Sequence, residues 1–197
     1  IARMDADDLC HPDRLARQAL FLKENPDYGL VASRVDFPRK ASNQGYAHYV
    51  DWCNSLLSYK DIAMNRFVES PFAHPSVMLR SSVFKYCGAY LDGGFPEDYE
   101  LWLRLLHHGV GMAKLPETLL FWNDPPARLS RTDKRYSMQA FYKVKAKYLA
   151  LWLQKNNPFH PEIIIWGAGR TTRKRAELLS KFDIRITAYV DIDPRKV

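Results

Sequence analysis

Cysteine is scarce: Cys10, Cys53 and Cys87 are the only three in 197 residues, an odd number with no Cys-x-x-Cys spacing. That excludes a disulfide framework and suggests no zinc site, so a reducing cytosol is the expected compartment. No apolar run approaches the roughly 18 residues of a membrane-spanning helix, and the opening residues lack the form of a signal peptide, so the chain is expected to be soluble. Zinc-finger spacing and an aromatic RNA-binding signature are both missing, which makes nucleic acid the weakest reading of the charge. Acidic residues are in deficit, 22 against 29 Lys and Arg, for a formal charge of +7. The excess favours anions, and a phosphorylated substrate or an anionic membrane surface remains. Apolar material is plentiful, and 47% hydrophobic residues over this length suffice for a buried core and one or two domains.

The apolar run Ile1-Ala2-Arg3-Met4 leads into Asp5-Ala6-Asp7-Asp8. Read as the end of a buried strand, alternation places Asp5 and Asp7 on one side and turns Asp8 away. Two carboxylates facing one point call for positive charge between them, and a hard divalent cation takes oxygen ligands of this kind. A polar strand-to-helix loop is the plain alternative. Pro12 then opens a helix with Leu15, Ala19 and Leu22 at helical spacing, ended by Asn25-Pro26. A strand follows over 29–35, a helix over about 44–60, a loop with Pro71 and Pro75, a strand over 76–79, and a turn-rich stretch from Gly88 to Pro96. A helix from Glu97 to His108 ends at Gly109, and a strand over 118–122 precedes a polar loop. Residues 134–155 read as a long helix and Asn156-Asn157-Pro158 as a break, after which 162–197 read as strand, glycine turn, helix, strand. The expected domains are 1–157 and an incomplete 158–197. With strands at both ends, the chain reads as an internal fragment.

The helix at Glu97 carries a second acidic cluster. Glu97, Glu100, Arg104 and His107 fall on one polar stripe, with Glu100 and Arg104 spaced for a weak surface ion pair. Asp98 shares the opposite stripe with Leu101, Trp102 and Leu105. A carboxylate there is costly unless it lines a cleft, and partial desolvation raises its pKa toward that of a useful base. Acids in a first turn also stabilise any helix, which is the alternative for all three.

Three ordered blocks carry a family resemblance: Asp5-Ala6-Asp7-Asp8 with His11-Pro12-Asp13-Arg14-Leu15 and Gln18, then His74-Pro75-Ser76-Val77-Met78-Leu79-Arg80, then Glu97-Asp98-Tyr99-Glu100-Leu101-Trp102-Leu103-Arg104-Leu105. Together, over roughly residues 1–130, they resemble the later half of a family 2 glycosyltransferase catalytic domain. The resemblance implies an α/β fold, a nucleotide-diphospho-sugar transferase-like α/β/α sandwich incomplete at its N-terminus, and inversion at the sugar's anomeric centre. It implies that Asp5 contacts the donor and the metal, that Asp7 binds Mg²⁺ or Mn²⁺, and that Asp98 is the catalytic base, with Glu97 as its neighbour and His74 near the acceptor. Family members carry a basic loop after the last strand. The corresponding stretch here is Trp122 to Arg131, in which Pro125 stands at the histidine position, so the resemblance implies Arg128 or Arg131 as donor-binding cations, with ordinary surface arginines as the alternative. The implied partners are a nucleotide-diphospho-sugar donor and a saccharide or glycolipid acceptor, in a cytoplasmic protein serving surface polysaccharide or glycolipid synthesis. Without the start of that domain, the segment alone is expected to be inactive.

Ile163-Ile164-Ile165-Trp166-Gly167-Ala168-Gly169-Arg170-Thr171-Thr172 resembles the opening of a Rossmann-like nucleotide-binding unit. Gly167 permits the tight turn, Gly169 gives a ligand access to backbone N–H groups, and Asp191 stands where a ribose-binding acid is expected. Thr172 replaces the third glycine, so NAD(P) is a candidate without being the favoured one. Lys143, Lys145, Lys147 and Lys155 among Phe141, Tyr142, Tyr148 and Trp152 allow the long helix either to touch an anionic membrane at its inner face or to pack with its lysines reaching outward. The functional rivals are an aspartate-dependent phosphohydrolase and a non-catalytic nucleotide-binding or scaffolding module.

Overall fold

The computed structural model describes residues 1–125 and 128–196; Pro126, Ala127 and Val197 lie outside the described residues. The chain divides into two compact units, residues 1–92 with 97–132, and residues 133–197 with 93–96. In the first, the order is β1 (Leu9–Cys10), α1 (Arg14–Glu24), β2 (Tyr28–Asp36), α2 (Gln44–Ser55), α3 (Tyr59–Asn65), β3 (Met78–Leu79), α4 (Ser81–Cys87), α5 (Glu97–His107), β4 (Gly111–Phe121) and α6 (Leu129–Thr132). The fold is α/β around a mixed sheet of order β1-β4-β2-β3, with β2 and β4 parallel at its centre and the two-residue strands antiparallel outside them. Covering a parallel pair on both faces requires near-continuous apolar strands. Leu30, Val31 and Ala32 of β2 and Met112 of β4 are fully buried.

β4 is longer than its apolar pattern suggests. Lys114 interrupts that pattern, yet its ammonium is buried and bonds the carbonyls of Cys53 and Pro71, which replaces lost water. Pro116 has no N–H to donate, and the ladder skips it: Ser33 pairs Leu115 and Arg34 pairs Thr118. The helix expected over 44–60 is two helices, because Ser58 starts α3 afresh with a reciprocal capping box to Asp61. The opening residues are not a buried strand. Ala2 makes a single bridge to Met78, and Ile1 is 64% exposed.

The largest correction concerns Glu100 and Arg104. Spacing suggests a surface pair, but Glu100 is 2% and Arg104 8% exposed. The guanidinium meets Glu100 Oε2 at 2.9 Å and donates to the carbonyls of Cys87, Gly88 and Ala89 at 2.6, 2.9 and 2.8 Å. The positive φ of Gly88, 82°, ends α4 so that these carbonyls converge. α5 is thereby tied to the turn that precedes it.

The second unit holds α7 (Met138–Asn156), β5 (Glu162–Trp166), α8 (Arg170–Ala176) and β6 (Arg185–Val190), with β5 and β6 parallel across the intervening helix. Ala146 and Ala150 of α7 form a small core with Leu179 and Ile184, so this helix packs its apolar side. Lys143, Lys147 and Lys155 stay exposed, and Lys145 and Lys147 lie 4.7 and 5.3 Å from the rings of Tyr142 and Tyr148. Among the described residues no helix is long and apolar enough to cross a membrane.

Replacing Arg104 by Ala strands the Glu100 carboxylate in the core, a loss that typically costs about 3–5 kcal/mol. Urea unfolding of Arg104→Ala is expected to show a shift of that order, with Arg104→Lys recovering only part of it because an ammonium cannot serve three carbonyls and a carboxylate in one plane.

Candidate functional site

The acidic triplet folds as a turn rather than as a strand end. Asp8 N–H reaches Asp5 O at 3.3 Å, and this curl reverses the expected orientations: Asp7 is exposed while Asp8 is 6% exposed. Asp5 is half-buried and paired with Arg3 at 2.6 Å. One Asp8 oxygen accepts the N–H of Asn123 at 2.8 Å, but Oδ2 is buried without a partner. Burial pushes the Asp8 carboxyl up to about 6 against the Asn123 bond, and Asp5 and Asp7 add to the rise. Alternation along a strand pointed to Asp7 and missed Asp8.

Asp98, in the first turn of α5, is half-buried, and its Oδ1 accepts the N–H of Tyr99 at 2.8 Å. Burial raises its carboxyl to about 7, with Glu97 and Glu69 also pushing upward and backbone hydrogen bonds pulling down. Leu101, Trp102 and Leu105 of its stripe are fully buried, but Glu100 and Arg104 of the stripe expected to be polar are buried as well. Glu97 is half-buried beside it. His74 lies in a short 3₁₀ turn before β3, half-buried, with Nε2 at 2.8 Å from the Tyr90 hydroxyl. Burial and Arg3 hold the imidazole down to about 4, against Asp5 and Glu97.

Arg128 is stacked between aromatic rings, 4.0 Å from Trp122 and 4.8 Å from Tyr46. Its Nη1 is buried without a hydrogen bond, 3.7 Å from Asp124 Oδ1. Arg131 reaches the same oxygen at 2.6 Å and also bonds Pro125 O at 3.0 Å. Burial opposes ionisation of Asp124, but the bonds from Asn43 and Arg131 and both guanidinium charges hold its carboxyl below the usual range. Arg131 is therefore committed to this loop, while the Arg128 Nη1 has only its 3.7 Å ion pair with Asp124.

Several of these groups act electrostatically on shared partners. The Asp5 charge acts on Asp8, His74 and Tyr90; that of Asp98 acts on Tyr90, Tyr46 and Tyr49; that of Arg128 acts on Tyr46 and Asp8.

The second unit's glycine turn is built differently. Gly167 has φ 107°, a conformation few side chains tolerate, and Gly169 starts α8 with open space where a side chain would stand. Asp191 is already engaged, accepting the N–H groups of Ala168 at 2.8 Å and Asp193 at 2.9 Å. Those bonds lower its pKa and make it the strut of the turn.

No family model matches the chain. It is 32% identical over 122 residues to the amylovoran biosynthesis glycosyltransferase AmsE of Erwinia amylovora, covering 61% of this chain and 43% of the relative. An uncharacterized glycosyltransferase of Haemophilus influenzae is 29% identical over 128 residues, with the same two shares, 61% and 43%. Its curated relatives are glycosyltransferases. The O-antigen biosynthesis glycosyltransferase WbnJ of Escherichia coli extends the likeness to 79% of this chain and 57% of the relative, at 29% identity. The chain thus spans about half the length of the curated relatives it matches.

Raised carboxyl pKa values cost stability when the acids ionise. Between the ordinary value of about 4 and the folded values, the native state binds more protons than the unfolded chain, so stability falls as pH rises through this window. Asp98→Asn and Asp8→Asn are each expected to raise the thermal midpoint at about pH 8 and to leave it unchanged at about pH 4, as measured by calorimetry.

Proposed function

We propose that this chain carries the acidic and basic groups of a metal-dependent, inverting family 2 glycosyltransferase site, all of them in its first compact unit. The transfer is of a sugar from a nucleotide-diphosphate donor to a hydroxyl in surface polysaccharide or glycolipid synthesis, and the names of the relatives support that setting. The observation that carries the reading is Asp98. Burial in the first turn of α5 pushes this carboxyl up to about 7, and its charge acts on Tyr46, as does that of Arg128.

Asp98 takes the proton of the acceptor hydroxyl as its oxygen attacks C1 of the donor sugar. The bond from C1 to the diphosphate oxygen breaks on the opposite face, and its electron pair leaves with the nucleotide diphosphate. A single displacement of this kind inverts the centre. A pKa near working pH leaves Asp98 ionised often enough to act and basic enough to hold the proton. Arg128, seated on Trp122 and Tyr46 and paired only loosely with Asp124, supplies positive charge for the leaving diphosphate.

The residues offer oxygen ligands to a hard divalent cation. The orphaned Asp8 oxygen is of the right chemistry, and the Asp5 and Asp7 charges act on it, with Asp5 already paired to Arg3. Among the described residues no group of three His, Cys, Asp or Glu side chains could hold a metal ion. When bound, the cation supplies Lewis-acid stabilisation of the diphosphate. Asp5 and Asp7 are the expected ligands from sequence, and Asp8 joins them on its geometry. In the second unit, a regulatory or structural role suits a turn whose acid is already bonded, so NAD(P) is not part of this reading.

Asp98→Asn in the full-length protein is expected to lower donor turnover by about 10²–10⁴ while calorimetry shows nucleotide-sugar binding retained. Wild-type kcat/KM should rise with pH through about 7, the Asp98 value. Unchanged turnover in Asp98→Asn removes the mechanism.

A further inference from the structure

Tyr90 has no part in the chemistry above, yet it is held firmly. It keeps 37% of its surface exposed. Its hydroxyl lies 2.8 Å from His74 Nε2, and its ring centre is 5.4 Å from that of His74 and 6.0 Å from that of Phe84. The His74 ring rests edge-on against buried Trp102 at 6.0 Å. Just upstream, the Arg104 guanidinium ties the carbonyls of Cys87, Gly88 and Ala89 to α5. Both the side chain and the backbone that delivers it are therefore fixed before any ligand arrives.

The surroundings narrow the ligand. Asp98, Glu97, Asp5 and Arg3 all act on the Tyr90 hydroxyl. Burial raises that hydroxyl to about 12, so it stays protonated, and His74, held down to about 4, stays neutral. A neutral donor-and-acceptor pair, with three carboxylates offset by the single Arg3 guanidinium, suits a neutral ligand rich in hydroxyls. The partly exposed ring adds an apolar face, against which the C–H face of a pyranose packs.

We propose that Tyr90 and His74 form the acceptor subsite, in which a pyranose ring lies on the exposed Tyr90 face with one hydroxyl bonded by the Tyr90–His74 pair and another directed to Asp98. This rests on the sugar-transfer reading and deepens it: the acceptor presents a pyranose rather than a bare lipid or peptide hydroxyl. Tyr90 acts as a binding wall, and His74 is a positioning residue that fixes the hydroxyl rotor and the ring angle. A tyrosine placed by a rigid turn selects acceptors by the stereochemistry of their C–H faces. Pyranoses with an unbroken axial C–H face pack best.

Saturation-transfer NMR with the full-length protein tests this, using methyl α- and β-pyranosides of glucose, galactose and N-acetylglucosamine as probes. The expected result is transfer concentrated on the ring C–H protons of one sugar face, with affinity falling about tenfold or more in Tyr90→Ala. Tyr90→Phe should keep the facial pattern and weaken binding several-fold by losing one hydrogen bond. Circular dichroism matching wild type checks the fold of both variants. No facial contact in wild type, or equal affinity in Tyr90→Ala, overturns the subsite. Failure of nucleotide sugars to bind with Mn²⁺, while the pyranoside contact at Tyr90 persists, sinks the donor reading and leaves this one standing.

Discussion

Arg104 directs its guanidinium to Glu100 and to three successive carbonyls at the end of α4, and the rest of the site is referenced to that junction. One end of the guanidinium lies on the helix that carries Glu97 and Asp98. The other end holds the backbone from which Tyr90 projects. Because the pair is buried, neither partner can leave without stranding a charge, so this geometry holds over any condition in which the unit is folded. Asp98 and Tyr90 therefore keep a fixed separation that flexible surface residues would not give.

Against that rigid frame, the acids are held in an environment that resists their charge. Asp8 and Asp98 are both pushed upward, chiefly by burial, and each is pushed further by neighbouring carboxylates. A fold selected only for stability would fill these positions with neutral side chains. Their retention makes sense where a cation or a proton arrives during function and relieves the repulsion. Arg128 is the counterpart on the cationic side. Its stacking on Trp122 and Tyr46 orients the guanidinium without consuming all of its donors.

Much of this could be read from residues alone, and the failures share a cause. Asp98 stood out because helical periodicity places it among Leu101, Trp102 and Leu105, and the helix forms where expected. Spacing also paired Glu100 with Arg104, but periodicity gives neighbours and not depth, and the carbonyls that solvate Arg104 come from another segment. The orientation of Asp8 depended on whether residues 5–8 continue a strand or turn, a choice settled by the hydrogen bond from Asp8 to Asp5. The first half of β4 was hidden by Lys114, whose burial is tolerated only because Cys53 and Pro71 offer carbonyls from distant parts of the chain. Local pattern decided the elements; long-range polar contacts decided which of their charges face inward.

The irregularity at Pro116 has a consequence for how such a site can vary. Beyond it, β4 runs out of step with β2, so that Val35 meets Leu120 and the strand hands over directly to Trp122 beneath the Arg128 guanidinium. Side chains alternate along a strand, so adding or removing a single residue in the bulge would invert the indole and leave the cation without its seat. The arginine's aim is thus encoded partly as a count of residues in a neighbouring strand, a dependence that no inspection of the loop itself would disclose.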